Sequence, residues 1–245
     1  MKEMWRMLDG LLRDREAVSS EDALGRIRVG QLVVGVLVLA AVYGALMGVY
    51  ALTSRAAPEY RQVLSSMWKV PALFLLTLAI CFPSLYVFST LLGSRLSFLA
   101  TLKTLLGSVA ITVTVLASFG PIVAFFSVST ESYPFIKLLN VAFFAVAGLL
   151  GVGALFKALR RLLGTPVAAP ADVPPVLGAA EDEEEGRLIK RVFRIWVVIY
   201  ALVGAQMGWV LRPFLGDPAT PFGWFRARHA NFFIDVWHAL VTLLT

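Results

Sequence analysis

The groups able to do chemistry gather near the C-terminus. Both histidines, His229 and His238, lie there with Arg212, Arg226 and Arg228 and with the carboxylates Asp217 and Asp235. Asp235 and His238 are three residues apart, so a helix would set them on one face, where a carboxylate can orient an imidazole or help it hold a metal ion. A closed metal site asks for about four ligands, and His229, Asp235 and His238 offer three with no recognised spacing. No nucleophile elbow or comparable motif accompanies them. The expectation is therefore no catalytic residue, no metal and no cofactor. In their place stands a salt-bridged cap, Arg212 pairing with Asp217 or Asp235, with lipid headgroups as the other use for the arginines.

The elements that must carry this cap are set by composition. Of 245 residues, 58% are hydrophobic and 16% charged, and the mean hydropathy is +0.78. Such a chain reads as an integral membrane protein. The net charge of +6 then belongs to cytoplasmic loops and anionic headgroups, and no nucleic-acid partner is expected. The lone Cys81 lies in an apolar run and has no second cysteine to pair with.

A membrane helix needs roughly 20 apolar residues. Four runs free of Lys, Arg, Asp, Glu and His meet that: Val29 to Ser54, Val70 to Ser94, Thr104 to Thr130 and Leu138 to Phe156. A fifth, Ile195 to Leu211, is short but carries Trp196, Tyr200 and Trp209 as interface anchors. The predicted fold is an all-α polytopic bundle of about five spans. Residues 1–28 form a cytoplasmic amphipathic arm, 29–163 a four-span bundle, and 164–187 a Pro-rich and acidic tether containing Glu181 to Glu185. Residues 188–214 then form the fifth span and 215–245 an aromatic outer-face tail. The tail's stripe of Phe232, Phe233, Val236, Leu240, Leu243 and Leu244 makes an interfacial or re-entrant helix. The N-terminal arm alternates charge and hydrophobe, which is not the pattern of a cleavable signal peptide.

Basic residues choose the orientation. With the N-terminus inside, 15 of the 22 lie on the cytoplasmic side, against Arg55, Arg61, Lys69, Lys137, Arg212, Arg226 and Arg228 outside. An orientation with N inside and C outside follows, and the membrane expected is a bacterial inner membrane.

Within the spans no ionisable group is expected at depth, because Lys69, Lys103 and Lys137 sit near span starts and can snorkel. That argues against a pump, a voltage sensor or an intramembrane protease. Ser108, Thr112, Thr114, Ser118 and Ser127 crowd the third span, and Asn140 stands in the fourth. Helix packing is the first reading of these and pore lining the second. Gln206 in the fifth span should reach a neighbouring helix. Three small-residue pairs, Gly44 with Gly48, Ala147 with Gly151, and Gly204 with Gly208, mark packing or oligomer faces. Pro71, Pro83 and Gly120-Pro121 should kink or break the second and third spans, and Gly120-Pro121 is the candidate gate.

The second span, Lys69-Val70-Pro71-Ala72-Leu73-Phe74 through Cys81-Phe82-Pro83-Ser84-Leu85-Tyr86, resembles the bundle of Yip1-type membrane proteins, which implies about five spans. Gln206-Met207-Gly208-Trp209-Val210-Leu211-Arg212-Pro213-Phe214 and Asn231-Phe232-Phe233 resemble uncharacterised bacterial inner-membrane proteins. Neither resemblance assigns a functional residue. The expectation for function is a non-catalytic structural or assembly subunit, bound to lipids and joined to a second copy or a membrane partner. The alternative is a passive ion or small-solute channel with the third span near its pore.

Overall fold

The computed structural model describes residues 29–54, 59–91, 98–163, 179–218, 220–225 and 232–244. They form helices α1 (Val29–Gly48), α2 (Tyr50–Thr53), α3 (Tyr60–Leu91), α4 (Phe98–Ser129), α5 (Tyr133–Leu163), α6 (Ala179–Val210) and α7 (Phe232–Leu244). Among the described residues there is no strand. The N-terminal arm and the Pro-rich stretch 164–178 lie outside the described residues.

Four helical stretches are long and apolar enough to cross a membrane: Val29–Thr53, Tyr60–Val87, Phe98–Ser129 and Tyr133–Ala158. At about 1.5 Å per residue even the shortest exceeds the ~30 Å of hydrocarbon. Helix α1 shows why a membrane is the matching solvent. One face, Leu32, Val36, Leu39, Ala40 and Tyr43, is buried in the bundle, yet Val34, Val38 and Val42 are exposed. A helix apolar on every side has no face to offer water. The protein is a helical membrane bundle.

Helix α1 is the centre, packed on both α3 and α4; α5 packs on α4, α6 on α3 and α7 on α5. We call upper the end that carries Thr53, Tyr60, Ser129 and Tyr133. Contacts across the seams keep the helices level there: Thr53 Oγ1 donates to the Ser127 carbonyl (2.8 Å) and the Tyr50 hydroxyl to the Glu131 carbonyl (2.9 Å).

Several helices begin well before the charge-free runs do. Helix α3 begins ten residues before Val70, α4 at Phe98 and α5 at Tyr133, because an ionisable side chain ends an apolar run without ending a helix. For the same reason Glu181 to Glu185 lie inside α6 instead of the tether. Glutamate is a good helix former, and carboxylates suit the positive end of the helix dipole. Helix α6 also stops at Val210, short of the expected 214. Pro71, Pro83 and Pro121 break nothing, since α3 and α4 run through all three.

Candidate functional site

Of the expected C-terminal cap, Arg212 with Asp217 or Asp235, the structure redirects the Asp235 alternative. Arg226, Arg228 and His229 lie outside the described residues. Asp235 pairs with Lys137, on the first turns of α5, so it belongs to neither Arg212 nor His238. Arg212 lays its guanidinium 3.5 Å from the centre of the Trp209 ring, an arrangement suited to a planar cation on an aromatic face. His238 is exposed on α7. Among the described residues no three His, Cys, Asp or Glu side chains come together as metal ligands.

The polar site that does assemble lies along the first turns of α3, with Lys69, a residue at the edge of a charge-free run, at its centre. Helix α6 runs antiparallel to α3. The Trp196 Nε1 donates to Ser84 Oγ (2.9 Å), Gly204 faces Thr77, and Gly208 faces Leu73. Each step forward along α6 matches an equal step back along α3, which places Val210 near Pro71. The helix therefore ends about 16 Å below Tyr60, eleven residues further up α3. From there a non-helical strap climbs α3.

Three α3 side chains spaced four and three residues apart hold that strap. Gln62 Nε2 donates to the carbonyls of Pro213 (3.2 Å) and Phe214 (2.8 Å). Ser66 Oγ also donates to the Phe214 carbonyl. Lys69 Nζ donates to the carbonyls of Pro213 (3.1 Å) and Trp224 and sits 5.1 Å from the Phe225 ring centre. Gly216 completes the fit. Its φ of +73° falls in the left-handed region, and a Cβ there would stand 2.8 Å from Gln62 Cγ.

This arrangement corrects the snorkelling expectation for Lys69. The side chain is fully buried, more than two turns inside α3, and its stem leads to protein carbonyls, not to the interface. The physical reason is the missing top of α6. Non-helical backbone at membrane depth is tolerated only where protein satisfies it, and Gln62, Ser66 and Lys69 supply the donors. A cation beside carbonyls just past a helix C-terminus also opposes the negative end of that helix's dipole. The signal was present: Gln62, Ser66 and Lys69 share one helical face. Starting the span after its last ionisable residue hid it.

The remaining polar side chains of the spans mostly turn inward. Ser108 Oγ donates to the Gly151 carbonyl (2.8 Å), while Thr112 and Thr114 bond carbonyls four residues back in their own helix. Ser118 bonds the Val115 carbonyl. Deep in the bundle the Tyr43 hydroxyl donates to Asn140 Oδ1 (2.7 Å), and Asn140 Nδ2 to the Ile136 carbonyl (2.9 Å). Gln206 departs from expectation: it lies on the exposed face of α6. About 200° of helix separates it from Gly204, which faces α3.

The small-residue pairs all find partners inside the chain. A Cβ on Gly44 would strike the Ser66 carbonyl, and one on Gly48 would stand 2.7 Å from Val63 Cα. One on Gly151 would strike Thr112 Oγ1, with the Ser108 carbonyl 3.1 Å away, and Ala147 beside it is fully buried. Gly204 and Gly208 are looser, with Thr77 and Leu73 side chains 3.8 and 4.0 Å away. Gly120 serves packing as well, since a Cβ there would meet Leu46 Cδ1 at 2.5 Å. No family model, curated protein or solved structure matches the chain.

Proposed function

We propose that this chain is a non-catalytic integral membrane protein, a structural or assembly subunit of a membrane complex. The observation that carries the reading is where the third span's hydroxyls go. Of the five hydroxyls, Ser108 ties α4 to α5, Thr112, Thr114 and Ser118 are satisfied on their own helix, and Ser127 Oγ is buried without a hydrogen bond to the described residues. Hydroxyls used in this way serve helix packing, which favours the structural reading over the channel reading. The continuous course of α4 through Gly120-Pro121 supports a packing role for that dipeptide.

The proposed placement is a bacterial inner membrane with the upper end outside, supported by the excess of basic residues at the opposite end. In that frame α6 makes the fifth crossing, its helical part completed by the strap. The three small-residue faces are occupied by the chain's own helices, so assembly must use another surface. The decisive experiment is reconstitution into liposomes with ion and small-solute flux measured across a range of potentials. Absence of flux together with a purified particle heavier than one chain is the expected result. Selective flux that Pro121→Ala alters would overturn the reading in favour of a channel.

A further inference from the structure

Gln206 is a polar side chain in an unusual place. Gly204 faces Thr77 and Gly208 faces Leu73, so Gln206 stands level with about Leu75, close to the middle of the Tyr60–Val87 span. It is exposed, and its amide makes no hydrogen bond to any described residue. From the middle of the hydrocarbon a three-carbon stem cannot reach either interface, unlike a lysine near a helix end. An amide left there without a partner is costly, because lipid offers neither donor nor acceptor. Ser118, also exposed at depth, avoids the problem by bonding its own helix.

The residues around Gln206 form an ordered stripe. Ile195, Val198, Ile199 and Leu202 are all between 43% and 56% exposed, and Gln206 continues the line. Ile195, Ile199, Leu202 and Gln206 are spaced four, three and four apart, the repeat that lets two helices meet along a left-handed seam. The exposed residues Val146, Leu149 and Leu150 of α5 are apolar throughout, and lipid suffices for them. On α6 the central amide asks for more.

We infer that this α6 stripe is a docking face for a second copy of the same chain, with the two Gln206 amides bonded to each other across a two-fold axis along the membrane normal. The occupant follows from the chemistry. An amide carries both an acceptor and two donors, so it is its own complement. Copies inserted with the same orientation present each residue at the same depth, and a two-fold contact pairs each stripe with itself. Helix α6 is at the edge of the bundle, packed chiefly on α3, and leaves room for that approach. The inference rests on the membrane reading and names the surface that assembly would use.

The test uses the full chain in membranes with Cys81→Ser as background and single cysteines at Ile199, Leu202 and Gln206, and at Val203 on α6 and Leu149 on α5 as controls. Oxidation should cross-link chains at 199, 202 and 206 and leave both controls largely monomeric. In detergent with the native cysteine, Gln206→Leu should weaken the dimer roughly threefold to tenfold, while Gln206→Asn retains most of it. The exposed position makes neither change a threat to folding. Equal cross-linking at Leu149, or a dissociation constant untouched by Gln206→Leu, would overturn the inference. A monomeric particle would also overturn it, while leaving a structural role with a different subunit intact; flux in liposomes would sink the structural role and leave the dimer untouched.

Discussion

Helix α3 meets two neighbours that carry the same glycine spacing, and the two seams are built differently. Against α1, Gly44 and Gly48 bring backbone to backbone, so that any Cβ would collide with the Ser66 carbonyl or approach Val63 Cα within 2.7 Å. Against α6, Gly204 and Gly208 meet only the ends of the Thr77 and Leu73 side chains, at ordinary contact distance. The spacing permits close approach, but the partner's side chains decide whether it happens. At the α3–α6 seam the attachment has passed to polar groups: Trp196 on Ser84 and the strap on Gln62, Ser66 and Lys69. One seam is held by shape and the other by hydrogen bonds.

That contrast is open to direct attack, most severely at the tight glycines. Gly44→Val and Gly151→Val should each cost about 3 kcal/mol, since Gly44 faces backbone that cannot yield and Gly151 faces the stiff β-branched Thr112 side chain with the Ser108 carbonyl beside it. Reversible unfolding by denaturing detergent measures the loss. The same experiment on Gly148, whose Cβ would meet nothing within 4 Å, should show no such loss. If Gly44→Val were tolerated, the shape-held seam would be misread.

Next in size is Lys69→Met, expected to cost about 2 kcal/mol by leaving the carbonyls of Pro213 and Trp224 without this donor inside the bundle. Lys69→Arg should recover part of that loss. Full stability in the methionine variant would mean that the strap does not depend on Lys69. Tyr43→Phe comes third, at about 1 kcal/mol, because Asn140 keeps its bond to Ile136 and hydrogen bonds between membrane helices are modest. A variant more stable than the parent would show that bond to be unneeded.

Two smaller effects sharpen the comparison. A double-mutant cycle on Lys137 and Asp235, both partly exposed, should give a coupling of about 0.5 kcal/mol that shrinks as salt rises. Its loss should loosen α7 without affecting the α1–α3 seam. Gly204→Ala should be neutral or should stabilise by about 0.5 kcal/mol, since the loose seam has space for a methyl group and alanine favours the helix. A loss of more than 1 kcal/mol there would erase the difference between the two seams.

Much of the architecture was legible from residue types alone. Charge-free runs located the four long spans, and the tail's apolar stripe marked α7. Of the hydroxyls expected to serve packing, Ser108 bonds across to α5, while Thr112 and Thr114 bond their own helix. The strap was not legible, for two physical reasons. A lysine at membrane depth becomes acceptable only when acceptors surround it, and those of Lys69 come from residues more than 140 positions away. The course of the chain after α6 was hidden too: Arg212-Pro213 marks the helix end in sequence, but no local feature says which helix the residues beyond it will rest on. The pairing of Asp235 was missed for a related reason. The expectation sought partners nearby in the chain, whereas Lys137 arrives from α5.

The amino-acid sequence by itself determined that this chain must be helical and must lie in lipid, because long apolar segments without charge can satisfy their backbone there only as helices. It also determined that glycines and hydroxyls would line the helix contacts. Tertiary structure alone decided which glycines touch backbone, and that Gln62, Ser66 and Lys69 support the strap that follows α6. Hydropathy and local spacing govern what each segment can do in isolation. The identity of a buried polar group's partner depends on which distant carbonyl the packed helices bring within 3 Å.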